Sequence, residues 1–68
     1  MAVRIRWGDR ELELPEGRTL EALVRDHGGI GEGMAVFLNG RRIPRGDWPA
    51  TPVRDGDAIE VAELIAGG

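Results

Sequence analysis

Val3, Ile5 and Trp7 alternate with arginines, and Gly8-Asp9 then interrupts the pattern. Leu12 and Leu14 alternate with glutamates after it. This alternation predicts two strands joined by a two-residue turn. With that turn, apolar residues pair on one face and opposite charges pair on the other, so both faces agree on a single register. The predicted pairs are Val3 with Leu14, Arg4 with Glu13, Ile5 with Leu12 and Arg6 with Glu11.

The apolar spacing changes after the Pro-Glu-Gly segment at 15–17. Leu20, Leu23 and Val24 recur at i, i+3 and i+4, which is typical of an amphipathic helix. Thr19 is a suitable N-cap, and Gly28 suits the left-handed residue just past a helix end. The pattern predicts one short helix over Leu20–His27.

The rest of the chain predicts three more strands. Asn39-Gly40 is a strong hairpin signal between a buried strand and a polar one, and three prolines make residues 44–53 irregular. Asp55 and Gly56 belong to a tight turn before the last strand, in which Ile59 and Val61 face inward. The predicted elements are a loop at 29–33, strands at Met34–Leu38, Arg41–Ile43 and 58–62, and a turn at 54–57.

The element order predicts an α+β fold with five strands and one helix. A single helix has to cover one face of a single sheet. Because the helix follows the first hairpin, a right-handed crossover returns the chain to the same sheet, which makes the sheet mixed.

The composition argues against an enzyme. The 68 residues include no cysteine, serine, lysine, tyrosine or glutamine, so the side-chain hydroxyls are those of Thr19 and Thr51. Covalent catalysis needs a nucleophile with a base beside it. His27, the one histidine, cannot supply a zinc site that needs three or four ligands. We expect no bound cofactor and no metal.

Charge and hydropathy limit the partners further. The net charge of −3 provides no polycation for nucleic acid. No apolar run approaches the roughly 18 residues of a membrane span, and the first residues alternate rather than form a signal-peptide core. We expect a cytoplasmic protein that binds neither nucleic acid nor membrane.

Several apparent sites have simpler explanations. The glycine-rich run at 28–33 follows a helix instead of opening one, which is the wrong context for a phosphate loop. Asp55-Gly56-Asp57 lacks the twelve-position ligand pattern of an EF-hand and is expected to be a solvated turn. His27 is expected at the C-terminal end of the helix, where a positive charge interacts favourably with the helix dipole. Arg41 and Arg42 beside Phe37 form either a partner-binding patch or a charged edge that prevents aggregation.

Gly67-Gly68, at the end of the sequence, is not required by any predicted turn. Two residues without Cβ can thread a narrow channel and present a carboxylate to an enzyme. ATP can convert that carboxylate to an acyl-adenylate, which a sulfur donor or an amine can attack. A frayed end and residues left over from cloning are the plain alternatives. We predict a domain at 1–63 and an extended, flexible tail at 64–68.

The ordered combination of these segments resembles the ThiS sulfur carrier family, which is related to MoaD. The resemblance covers essentially the whole chain and depends on the order of its motifs rather than on any one of them. The residues that carry it are the first strand pair, the Thr19-capped helix, the segment at 38–45, Trp48, the segment at 51–57, Ile59-Glu60-Val61 and Gly67-Gly68.

The resemblance implies a β-grasp, ubiquitin-like fold and a role as a carrier. A ThiF-like, E1-type adenylyltransferase would activate the Gly68 carboxylate with MgATP, a persulfide donor would convert it to a thiocarboxylate, and a ThiG-like thiazole synthase would take the sulfur for thiamin. Gly67 would give backbone clearance. Leu64, Ile65 and Ala66 would form the tail that docks in each partner. Independently of the resemblance, Phe37 is predicted to contact partners because it lies beside Arg41 and Arg42.

Two questions stay open at this level. Many family members have a third glycine where this chain has Ala66, which puts the identity of the partner in doubt more than the threading of the tail. The same tail chemistry would serve molybdopterin, tRNA thiolation, cysteine synthesis or a secondary metabolite. It would also serve a protein modifier, and a plain interaction module is a further alternative.

Overall fold

A computed structural model describes residues 2–27 and 33–63 of the chain. All elements named below lie in these ranges. They are β1 (Ala2–Trp7), β2 (Arg10–Pro15), α1 (Leu20–His27), β3 (Met34–Leu38), β4 (Arg41–Ile43), a 3₁₀ helix (Arg45–Ala50) and β5 (Ala58–Glu63).

The first hairpin has the predicted register. Val3 pairs with Leu14 and Ile5 with Leu12, while Arg4 lies opposite Glu13 on the other face. A nitrogen of the Arg4 guanidinium is 3.9 Å from a Glu13 carboxylate oxygen, and both side chains are largely exposed. Gly8 has a φ of 63°, as the first position of a tight hairpin turn requires.

The helix begins and ends at the predicted residues. The Thr19 hydroxyl accepts a hydrogen bond from the backbone N–H of Ala22 at 3.2 Å, which confirms Thr19 as the N-cap. Leu20, Leu23 and Val24 are buried. The predicted cap residue Gly28 and the loop residues up to 32 lie outside the described residues.

The sheet is mixed and has the strand order β2-β1-β5-β3-β4. β5 lies in the centre, parallel to β1 and antiparallel to β3. The mixed α+β sheet is therefore confirmed, and its arrangement with one helix is that of a β-grasp fold. β5 extends to Glu63, one residue beyond the predicted end.

The hydrophobic core lies between α1 and one face of the sheet. Ile5, Leu20, Leu23, Val36 and Ile59 are its most completely buried large side chains. Val61, which was predicted to face inward, is half-buried and packs against this core. Because α1 covers only one face, the alternate residues of β1, β3 and β5 lie on a face without a helix.

Residues 44–53, predicted to be irregular, contain a regular element. They contain the 3₁₀ helix, which starts directly after Pro44 and includes Pro49. Trp48 is only 6% exposed, and its indole N–H donates to the carbonyl of Ile43 at 2.9 Å. Sequence patterning missed this element because a 3₁₀ helix of one or two turns has too few residues to show a period.

Candidate functional site

Five of the six predicted site residues lie outside the described residues: Leu64, Ile65, Ala66, Gly67 and Gly68. The sixth, Phe37, is described. The site can therefore be built from the end of β5, from which the chain continues to residue 64, and from the surface around Phe37.

The C-terminal end of β5 is paired with β3 alone, because β1 pairs only with Ala58 and Ile59. Val61 pairs with Val36 and Ala62 with Ala35, and Glu63 pairs with Met34 at the end of the ladder. Ala35 is only 3% exposed, whereas Met34 is 36% exposed and is the exposed large hydrophobic side chain of the described residues. Glu63, the last described residue, is thus fixed beside β3.

The N-terminal end of β5 is fixed by polar side chains. The Asn39 side chain accepts a hydrogen bond from the Ala58 N–H at 2.8 Å and donates to the Asp57 carboxylate at 3.0 Å. The second Asp57 oxygen accepts from the Arg54 N–H at 2.8 Å. These contacts join the β3–β4 turn to the turn before β5.

Asp55 extends this set of hydrogen bonds to β1. Its carboxylate accepts from the backbone N–H of Arg4 at 2.8 Å, and the Gly56 N–H donates to the Arg4 carbonyl at the same distance. Gly56 has a φ of 88°, which is expected for a glycine in a tight turn. The turn at 54–57 is present as predicted, but its carboxylates bind backbone N–H groups rather than solvent alone.

Phe37 lies on the sheet face opposite α1. It pairs with Arg42 of β4 on one side and with Glu60 of β5 on the other. Phe37 is half-buried, whereas Arg42 and Glu60 are exposed. An aromatic ring between two opposite charges, beside the small side chain of Ala62, is a surface that another protein can contact.

The structure also places the other residues that the sequence singled out. His27 is the last residue of α1, and its ring centroid lies 6.0 Å from that of Trp7. Arg41 and Arg42 are exposed on the edge strand β4, and only Arg42 lies opposite Phe37. This arrangement is compatible with a partner-binding patch and with a charged edge that prevents aggregation.

The described residues contain neither a metal-binding cluster nor a membrane-spanning helix. Within residues 2–27 and 33–63, no three side chains of the types His, Asp and Glu form a group that could hold a metal ion. In the same ranges, no helix has the length and apolar character needed to cross a membrane.

Comparisons with known proteins agree with this geometry. The model of the ThiS family matches residues 2–68. The sulfur carrier protein ThiS of Thermus thermophilus is 37% identical over 62 residues, which cover 91% of this chain and 97% of the relative. The Escherichia coli protein of the same name is 30% identical over 66 residues, covering 97% and 100%.

A solved structure has the same fold. The crystal structure of the thiamine biosynthesis protein ThiS from Geobacter metallireducens superposes with a TM-score of 0.83 at 26% identity. The match covers 97% of this chain and 100% of that one.

Proposed function

The chain belongs to the ThiS family, and we propose that it is a sulfur carrier protein that holds sulfur as a thiocarboxylate on Gly68. The family match, which extends to residue 68, and the relatives named sulfur carrier protein support this role. In this role the chain is a co-substrate of other enzymes and not itself an enzyme.

The chemistry requires activation of a carboxylate, which is a poor electrophile. An oxygen of the Gly68 carboxylate attacks the α-phosphorus of ATP, and pyrophosphate leaves. The terminal sulfur of a donor persulfide then attacks the acyl carbon, and AMP leaves. A thiol cleaves the S–S bond of the resulting acyl disulfide, so that the thiol and donor become a disulfide and the carrier becomes a thiocarboxylate. A ThiF-like adenylyltransferase would supply the MgATP site.

The central position of β5 is the observation that carries the proposal. β5 pairs with β1 at Ala58 and Ile59 and with β3 as far as its last residue, Glu63, which directly precedes residues 64–68. Five residues reach at most about 17 Å from the fold. The folded part would therefore stay at the mouth of a partner's active site while Gly67 and Gly68, which lack Cβ atoms, enter it.

The surface around Phe37 is proposed to contact the activating enzyme. Phe37, Glu60 and Ala62 lie on the same face of the sheet, and Glu60 and Ala62 belong to the strand that leads to the tail. A partially exposed aromatic residue supplies much contact area at a small entropic cost, and the charges of Arg42 and Glu60 can orient the partner.

The sulfur is proposed to be delivered to a ThiG-like thiazole synthase for thiamin in the cytoplasm. The thiamine biosynthesis protein from Geobacter metallireducens, with its TM-score of 0.83, supports this pathway over the alternatives. After delivery the carrier returns with a carboxylate on Gly68 and can be activated again.

The test is the intact mass of the carrier after incubation with MgATP, a ThiF-like enzyme and a persulfide donor. We expect one carboxyl oxygen to be replaced by sulfur. The matched control lacks Gly68 and should show no replacement. Omitting the sulfur source should leave the mass of an adenylate or of the free acid.

Two results would contradict the proposal. If the carrier and the Gly68 deletion gain sulfur equally, Gly68 is not the attachment site. If the carrier becomes linked to protein lysines instead of gaining sulfur, it is a modifier. A thiazole synthase assay with the thiocarboxylated carrier tests the pathway separately.

A further inference from the structure

A small cavity opens at the β4 edge of the sheet, next to the end of β5. We call it the Trp48 notch, and its lining includes Met34, Val36, Arg42, Ile43, Pro44, Arg45 and Trp48. The notch exists because the β3–β4 ladder ends at the pair of Val36 and Ile43. Pro44 then carries the chain away into the 3₁₀ helix, and β4 does not continue beside Met34.

The notch has the size of a side chain rather than of a small-molecule ligand. Its volume is about 240 Å³, below the roughly 300–1,000 Å³ that is usual for ligand pockets. Its walls are mainly apolar, and Trp48 is held in place by the bond from its indole N–H to the Ile43 carbonyl. A rigid apolar wall of this kind favours a single apolar side chain.

The rim of the notch is positively charged. The Arg45 guanidinium lies over the Trp48 ring, 4.8 Å from its centroid. Residues 41–50 contain three arginines and one acidic residue, Asp47, in a chain whose net charge is −3. This local reversal of sign favours a partner segment that carries carboxylates.

The notch also adjoins the start of the tail. Met34 lines the notch and pairs on its other side with Glu63, the last described residue of β5. Val36 and Ile43 lie on the α1 side of the sheet, whereas Phe37 lies on the opposite face. Arg42 lines the notch and pairs with Phe37, so a partner that receives the tail can contact both the notch and the surface around Phe37.

We propose that the Trp48 notch receives one apolar side chain of an extended, acidic segment of the activating enzyme. This inference rests on the proposed function, because the activating enzyme is the first partner that the carrier needs. The apolar side chain fills the space between Met34 and Trp48, and neighbouring carboxylates of the segment pair with Arg45. The segment lies beside the part of β3 that β4 leaves uncovered.

The first experiment compares Arg45→Lys, Arg45→Gln and Arg45→Glu by titration calorimetry with a ThiF-like enzyme. We expect the Kd to rise in that order, by about tenfold or more for Arg45→Glu, and the differences to shrink at high salt. The matched control is Arg25→Glu on the exposed side of α1, which makes the same charge change. Equal effects of Arg45→Glu and Arg25→Glu would overturn the proposal.

The second experiment places the contact at the notch. Incorporating 5-fluorotryptophan gives one fluorine at Trp48 and one at Trp7, which is half-buried near His27. Adding the ThiF-like enzyme should shift the Trp48 resonance and leave the Trp7 resonance much less changed. A shift confined to Trp7 would overturn the proposal, as would an unchanged Trp48 resonance in the saturated complex.

The outcome is separable from that of the proposed function. At saturating enzyme, Arg45→Glu should still gain sulfur at Gly68, with a raised KM and a nearly unchanged kcat. If the unmodified carrier gains no sulfur at all, the proposed function fails. If it gains sulfur and Arg45→Glu has the same KM, only the notch proposal fails. If Arg45→Glu weakens binding to the thiazole synthase alone, the choice of the activating enzyme is wrong.

Discussion

The two ends of β5 are held by different kinds of contact. At the N-terminal end, Asn39 and Asp55 accept hydrogen bonds from backbone N–H groups of other segments, and Asp57 accepts one from Arg54 in its own turn. At the C-terminal end, the strand is held by its ladder to β3, where Glu63 pairs with the exposed Met34. One end fixes the register of the strand, and the other leaves apolar surface for a partner.

This difference teaches how a small carrier can be both stable and adaptable. A 68-residue domain without disulfides has little stability to lose. In the proposed function, hydrogen bonds concentrated at the end remote from residues 64–68 keep the fold intact while a partner binds at the other end. Substitutions at the two ends should therefore separate stability from partner binding.

Ile59→Ala should give the largest loss of stability. Ile59 is 0% exposed and lies next to the polar turn. Removing a buried Ile side chain typically costs about 2–5 kcal/mol, which is a large part of the stability of so small a domain. Urea denaturation measures the effect. Glu60→Ala, at the adjacent exposed position, is the control and should change stability by less than about 0.5 kcal/mol.

Phe37→Ala should mainly weaken binding. Phe37 is half-buried on the face without a helix, so we expect the Kd for a ThiF-like enzyme to rise about tenfold or more. Phe37→Leu should retain part of the affinity because it keeps apolar area. Calorimetry measures both variants. A wild-type Kd for Phe37→Ala, with the fold intact, would exclude Phe37 from the interface.

Asp57→Ala should lower stability by about 2 kcal/mol, because the Arg54 N–H and the Asn39 amide both lose their acceptor. Asp55→Ala removes one carboxylate hydrogen bond, to the Arg4 N–H, and should cost about half as much. A double-mutant cycle of Asn39→Ala with Asp57→Ala should show a coupling energy of at least about 0.5 kcal/mol. Additive losses would show that the two side chains act independently.

The contacts that could be predicted from the sequence join residues that are close along the chain or that belong to a repeating apolar pattern. The register of β1 and β2 could be predicted because apolar and charged pairs gave the same answer, and α1 because Thr19 and three apolar residues marked it. The hydrogen bond from the Arg4 N–H to Asp55 could not be predicted, since the two residues are 51 positions apart. No local pattern distinguishes such a carboxylate from one in water.

The candidate site was predictable in part for the same reason. Phe37 could be assigned to a strand beside two arginines, but its position opposite Glu60 depends on β5 joining the sheet between β1 and β3. The notch depends on the burial of Trp48 next to β4. That burial involves residues of the core from several elements. The prolines at 44 and 49 and Trp48 were the signals available for it, and they indicated irregular chain as readily as a 3₁₀ helix.

The smallest effect should come from Gly40→Ala. Gly40 has a φ of 84° in the turn that Asn39 joins to β5, and a Cβ there would meet no atom within 4 Å. Any loss is therefore conformational, and we expect about 1 kcal/mol because an L-residue disfavours this region. Gly46→Ala, in the 3₁₀ helix beside the notch, also has open space and no such backbone constraint.

The two alanine variants compare the Asn39–Gly40 turn with the 3₁₀ helix beside the notch. Gly46→Ala should be neutral or stabilising by up to about 1 kcal/mol, because alanine restricts the unfolded chain. Thermal unfolding followed by circular dichroism measures both. If Gly46→Ala is as destabilising as Gly40→Ala, the backbone beside the notch is as constrained as that of the Asn39–Gly40 turn, and the expected difference between the two segments is wrong.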